Sequence, residues 1–155
     1  MATLHLICGL PCAGKTTLAR HLEQEYAALW LNLDDWHTRL FGQDVEDALH
    51  DARHAVIEAL LWEMAARVLR LGVNVILDFG FWGHSEREDY RAQAARLGAS
   101  SELHFLNVPE EVLFERLALR NAQLPQGTFF IPAAKLKEYI AWFQPPSPAE
   151  LERRE

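Results

Sequence analysis

Gly9-Leu10-Pro11-Cys12-Ala13-Gly14-Lys15-Thr16 reads as a complete G-x-x-x-x-G-K-T. The pattern becomes informative through what flanks it. Upstream, Thr3-Leu4-His5-Leu6-Ile7-Cys8 is an apolar run of strand length; downstream, Leu18, Leu22 and Tyr26 recur at four-residue spacing on a helix that starts at Lys15. Gly9 and Gly14 allow backbone conformations and close approaches that a Cβ would resist. The amides from Ala13 to Thr17 are expected to point into the loop, at the positive end of the helix dipole. Lys15 can then bridge two phosphates, and the Thr16 hydroxyl can complete a Mg²⁺ shell. A glycine turn carrying a surface lysine is the plain alternative, and the strand and helix on either side argue against it. The loop, with Gly9, Pro11, Cys12, Ala13, Gly14, Lys15, Thr16 and Thr17 as its contacts, is expected to seat a nucleoside triphosphate.

Three more apolar runs, Trp30–Leu33, Val73–Leu77 and Leu103–Val108, alternate with helical patterns. That alternation predicts an α/β fold built from β-α repeats on a parallel sheet. The longest helix carries Ala52, Val56, Leu60, Met64 and Val68 as one apolar stripe and ends at Gly72. Ser85 with Glu88 has the form of a capping box, Pro109 suits the first residue of a helix, and a last helix starts near Pro132. One domain is expected over residues 1–144, with a short lid at about 120–131 around Gly127. Residues 145–155 read as a proline-rich surface strap or frayed end.

Of the 155 residues, 15 are Lys or Arg and 22 Asp or Glu, so the net charge is −7. This composition excludes a disordered or collagen-like chain and argues against a polynucleotide partner, which selects for basic faces. Cys8 and Cys12 are too few for a disulfide framework and lack the second ligand pair of a structural zinc site, so reduced thiols are expected. No run approaches the roughly 20 apolar residues of a membrane span, and the short apolar start lacks the basic segment of a signal peptide. A cytoplasmic location with no membrane partner is expected; oligomeric state stays open.

The kind of phosphate-loop protein is narrowed by absences. There is no N-K-x-D for guanine, no L-S-G-G-Q-like signature, and no room for the helical domain of an AAA+ motor. Ligands of an open parallel sheet lie beyond the carboxyl ends of its strands, and there the sequence sets Asp34-Asp35 and Asp78. Asp34 is the candidate general base, Asp35 a helix cap or supporting group, and Asp78 a Mg²⁺ partner through water. Arg116 and Arg120, one helical turn apart, suit the charge on a transferring phosphoryl group. Trp36, His37, Phe81, Trp82 and Arg87 are candidates for acceptor contacts, the tryptophans as an apolar wall. His50 and His54 have metal-ligand spacing but no third ligand, so a solvated helix face is expected. Trp62 reads as helix packing, and Trp142 with Phe143 as a pin for the last helix.

Taken together, these blocks resemble the small P-loop kinases of the AAA-domain type, relatives of the 5′-polynucleotide kinase domain, chloramphenicol phosphotransferase and the zeta-toxin group. The likeness is carried by Gly9–Thr17, Leu31–Asp35, Ile76–Trp82 and Arg116–Asn121, with Phe129-Phe130-Ile131 and Pro145-Pro146-Ser147-Pro148 behind them. It implies a P-loop NTPase three-layer αβα sandwich with strand order 2-3-1-4, ATP and Mg²⁺ on the loop, and an acceptor hydroxyl near Asp34. Where the polynucleotide-kinase branch has an arginine three residues after the base, this chain has His37, which favours a small-molecule hydroxyl acceptor over a polynucleotide. Many relatives carry a fifth strand after the Pro145–Pro148 segment; here it is expected to be missing, leaving the adenine pocket more open. Transfer from ATP to a nucleoside, sugar or antibiotic leads; an ATP-dependent regulatory switch and a polynucleotide 5′-kinase are the alternatives.

Overall fold

The computed structural model describes residues 1–155. Strand β1 (Thr3–Cys8) is buried along its whole length and hydrogen-bonds to a strand on each side, so both of its faces are covered by other elements. Its alternating residues divide between two packing layers. Leu4, Leu6 and Cys8 join the larger core with Leu31, Leu61 and Leu77, whereas Ile7 packs with Ala19, Leu22 and Ile76. The remaining strands are β2 (Leu29–Asn32), β3 (Val75–Gly80) and β4 (Ser100–Phe105), all parallel, in the order β2-β3-β1-β4. Helix α1 (Lys15–Tyr26) covers one face; α3 (His50–Arg70) and α4 (His84–Arg96) cover the other. Helices α2 (Leu33–Phe41), α5 (Glu110–Gln123) and α6 (Ala133–Trp142) complete the α/β arrangement. No helix is long and apolar enough to cross a membrane.

Several local expectations shift. Strands β3 and β4 lie two to three residues from the apolar runs that announce them, because sheet register is set by pairing with β1 and not by where valine and leucine are densest. The stripe on α3 is misplaced by one residue. Ile57, Leu61, Ala65 and Leu69 are buried, while Val56 and Leu60 are 59% and 57% exposed. Two apolar rows run side by side on this helix, and only the sheet decides which of them faces in. Burying each large aliphatic of the inner row is worth about 1.5–3 kcal/mol. Trp62 packs against the core as expected, but Trp142 is 61% exposed and Phe143 alone does the pinning, stacked on Phe105.

The Ser85–Glu88 capping box does not form; Gly83 precedes α4 without a side-chain cap. The box lies instead at Ser147–Glu150, opening a short 3₁₀ turn over Pro148–Leu151. The segment after Pro145 is therefore an anchored strap. Arg154 pairs in antiparallel fashion with Ser101 of β4, and its guanidinium holds Glu88 at 2.7 and 2.8 Å. Buried Arg91 donates to the backbone carbonyls of Glu150 and Glu152.

Asn32, at the end of β2, caps α2: its side-chain oxygen accepts from the Asp35 backbone N–H at 3.2 Å. Asp34 and Asp35 thus occupy the first helical turn, and the capping role expected of Asp35 belongs to Asn32. Asn32→Ala is expected to cost about 1 kcal/mol, read as a lower urea midpoint with an unchanged slope.

Candidate active site

A cleft of about 1930 Å³ opens at the carboxyl end of the sheet. Its floor is the turn between β1 and α1. Gly14 sits there at φ 98°, a left-handed conformation that resists a side chain, and the preceding Cys12, at φ 67°, shares the sharp bend. Pro11, Cys12, Ala13, Gly14, Lys15, Thr16 and Thr17 all line the cleft. The Lys15 ammonium lies back on its own loop, donating to the carbonyls of Gly9 at 3.2 Å and Leu10 at 2.9 Å. Burial lowers its proton affinity, while nearby Asp78 and Asp34 pull it the other way. Burial likewise raises the Asp78 carboxyl, with Lys15 opposing and Asp34 adding to the rise. These three charges therefore form one electrostatic group. Trp30 steadies it by donating its indole N–H to Asp78 at 3.4 Å.

Helix α5 brings its arginines to the opposite wall. Arg116 donates to the Cys12 carbonyl at 3.1 Å, and Arg120 donates to the Phe129 carbonyl at 3.2 Å. The Arg120 Nε is buried without a partner, although the side chain lines the cleft. A guanidinium N–H with no acceptor is costly in a folded chain, and it is the kind of donor an anionic group satisfies.

The expected lid segment, 120–131, is a loop only from Leu124 on, because helix α5 continues to Gln123. Two carboxamides stitch it down. Asn121 exchanges hydrogen bonds with the Ile131 backbone at 2.7 and 3.2 Å. Gln43, from the segment between α2 and α3, donates to the Thr128 carbonyl at 2.7 Å and accepts from the Phe130 N–H at 2.8 Å. Gly127 rests on Asp35, where an added Cβ would lie 2.6 Å from the Asp35 carboxylate. That carboxylate pairs with Arg39 at 2.9 Å.

Of the residues expected to contact an acceptor, Asp34, Asp35, Trp36 and Trp82 line the cleft. Trp82 donates its indole N–H to the Gly9 carbonyl at 3.1 Å and packs on Tyr139. Three expected contacts fall elsewhere. Phe81, at φ 47°, turns its ring into the core against Phe79 and Tyr90. Arg87 is fully buried beneath it, bound to the Phe81 carbonyl at 2.9 Å and to the Glu150 carboxylate. His37 is also fully buried, with Asp44 at 2.8 Å from its Nε2 and His54 at 2.9 Å from its Nδ1. The expected solvated face of His50 and His54 is in fact a wall of the cleft. Asp44 ties these rings together, accepting also from His50 at 2.7 Å and Arg53 at 3.0 Å.

Sequence reasoning missed Gln43, Asp44, Glu58 and Glu86. Glu58 and Glu86 line the same cleft as Asp34; burial, then Glu58 beside it, pushes the Glu86 carboxyl up to about 7. Glu58 accepts from the Tyr90 hydroxyl at 2.8 Å. The four-residue step from His54 to Glu58 was the available signal, since it puts both on one helix face.

Sheet order, phosphate-binding turn and arginine-bearing helix together define a P-loop kinase-like fold. The chain belongs to the AAA domain family AAA_33, whose model matches residues 4–146. A comparison with curated proteins found no significant match. Among solved structures, a kinase candidate from Chloroflexus aurantiacus J-10-fl is similar at 20% identity and TM-score 0.77, over 94% of this chain and 82% of that one. A chain of the Pnkp1/Rnl/Hen1 RNA repair complex aligns at 23% identity and TM-score 0.74, over 91% of this chain and 43% of its own. A gluconokinase from Sinorhizobium meliloti 1021 aligns at 19% identity and TM-score 0.67, over 95% and 77%. At these identities the likeness establishes the fold.

Proposed function

We propose that the protein transfers the γ-phosphoryl group of ATP to a hydroxyl of a small molecule. The carrying observation is that one cleft is lined by the phosphate-binding turn, Asp34, Asp78 and both arginines of α5. In this reading Lys15 exchanges its backbone carbonyls for phosphate oxygens, and Arg120 gives its unpartnered Nε–H to the polyphosphate. Mg²⁺ fits the donor set: an exposed Thr16 hydroxyl and a buried Asp78 carboxylate are the hard oxygen ligands that it takes, Asp78 through water. When bound, it would neutralise charge on the β- and γ-phosphates.

Asp34 accepts the proton of the attacking hydroxyl. The acceptor oxygen bonds to the γ-phosphorus as the bond to the bridging oxygen breaks, and ADP leaves with that electron pair. Arg116 and Arg120 steady the group in transit. Trp36 and Trp82 offer ring faces to a nucleoside, sugar or antibiotic, and Asp35 supports the lid over them. Asp51 and Glu58 on the acceptor side repel a polyanion, which favours the small acceptor over a polynucleotide end.

The test is ADP release from Mg·ATP across nucleosides, sugars, aminoglycosides and amphenicols. One class is expected to stimulate release, and Asp34→Asn should lower that stimulated rate by about 10²- to 10⁴-fold with ATP binding retained. An Asp34→Asn protein that turns over the acceptor normally overturns the assignment of the base.

A further inference from the structure

The histidine cluster beside the lid has a chemistry that the phosphate site does not use. Asp44 is the hub. It is buried, and burial alone would raise its carboxyl, yet His50, Arg53 and His37 hold it well below the ordinary carboxylate range. It is therefore a carboxylate at neutral pH and can only accept. The Nε2 of His37, 2.8 Å from Asp44, must then carry a proton. In the neutral ring that leaves a lone pair on Nδ1, which faces the His54 Nδ1 at 2.9 Å. Two ring nitrogens at this separation attract only when one is protonated. His54 consequently carries its hydrogen on Nδ1 and a lone pair on Nε2. That Nε2 has no protein partner and is not buried, and His54 lines the same cleft as Asp34. The tautomers follow from the hydrogen-bond network.

We propose that His37 and Asp44 fix His54 as a base at the cleft wall, and that His54 relieves Asp34 of the proton taken from the acceptor hydroxyl. The proposal rests on the phosphotransfer reading above. In the step, the proton passes from the Asp34 carboxyl to the His54 Nε2, and the hydrogen on the His54 Nδ1 passes to the His37 Nδ1. Asp34 becomes a carboxylate again, His54 ends as the neutral Nε2–H ring, and His37 ends as an imidazolium against the Asp44 carboxylate. The groups facing His54 are His37 and Asp34 on α2 and His50 and Glu58 on α3, with Asp44 behind His37. Burial holds the His54 ring below the ordinary histidine range, and the two carboxylates oppose that shift while the two rings add to it. The lid packs against the device: the Phe129 ring makes T-shaped contacts with His37 and His50, at 5.2 and 5.4 Å between centroids. A metal ion among His37, Asp44 and His50 would have to share Asp44 with the Arg53 guanidinium, which favours the proton chain.

The experiment joins nitrogen-15 NMR of the histidine rings in the wild-type chain to ADP release from Mg·ATP with water as acceptor. The expected spectra show Nδ1–H on His54 and Nε2–H on His37. His54→Ala is expected to slow release about 10- to 100-fold near neutrality with KM for ATP unchanged, to flatten the acid limb of the pH profile, and to be rescued by added imidazole. His54→Gln, which keeps an amide at the same place, should bind ATP and show no more activity than His54→Ala without imidazole. Nε2–H on His54, or an ATP-binding His54→Ala protein that imidazole fails to rescue, overturns the proposal alone. A wild-type chain that binds no ATP removes the phosphotransfer reading and this step with it.

Discussion

Lys15→Ala is expected to lower acceptor-stimulated ADP release by about 10³-fold or more, the scale reached when one preorganised cation is removed from a charge-developing centre. The fold should survive. In the free protein Lys15 is bound only to the carbonyls of Gly9 and Leu10, so its removal breaks no side-chain ion pair. Its ammonium is also held against a desolvation penalty, which disappears with the charge. Thermal unfolding near the wild-type midpoint, together with lost calorimetric heat on adding ATP, is the expected pair of results. Turnover at the wild-type rate would end the kinase reading.

The second large effect lies on the opposite side of the sheet from α1. Glu150→Ala is expected to cost about 3–5 kcal/mol, because it strands the buried Arg87 guanidinium without its counter-charge. The same substitution removes the acceptor of the Ser147 N–H and half of the capping box. A double replacement, Arg87→Met with Glu150→Leu, should lose much less, since an apolar pair leaves no charge unanswered. The pH dependence has a definite sign. Burial would raise the Glu150 carboxyl, but Arg87, the Ser147 backbone and His84 bring it down to about 2 from an ordinary 4.5. The native carboxyl therefore binds protons more weakly than the unfolded one. Its stabilisation is complete above the ordinary value and is lost as pH falls toward about 2. Urea midpoints measured between pH 5 and pH 3 should fall more steeply for the wild type than for Glu150→Gln.

The residues that announce the fold are those whose work is local. Gly9–Thr16, the alternation of apolar runs with helical patterns, and the acidic pair after β2 depend on neighbours a few positions away; the strand order is implied by the family resemblance these blocks carry. What was illegible depends on partners far along the chain. Nothing near Arg87 reveals that Glu150, 63 positions later, will meet it in the core. His37 looks like a cleft residue until Asp44 and His54 close on it from the next segment and helix. The α3 stripe fails for a related reason: two equally apolar rows compete, and the sheet surface breaks the tie. Asp44 itself belongs to no motif, and a buried carboxylate serving His37, His50 and Arg53 at once shows only when the loop is folded.

The Gly9 carbonyl accepts from both the Lys15 ammonium and the Trp82 indole. Any ligand that draws the ammonium away alters the polarity felt by that indole, so the protein holds an intrinsic fluorophore wired to its phosphate-binding turn. Exchanging Trp30, Trp36, Trp62 and Trp142 for phenylalanine would isolate the emission of Trp82, turning nucleotide occupancy into an optical signal without any attached dye.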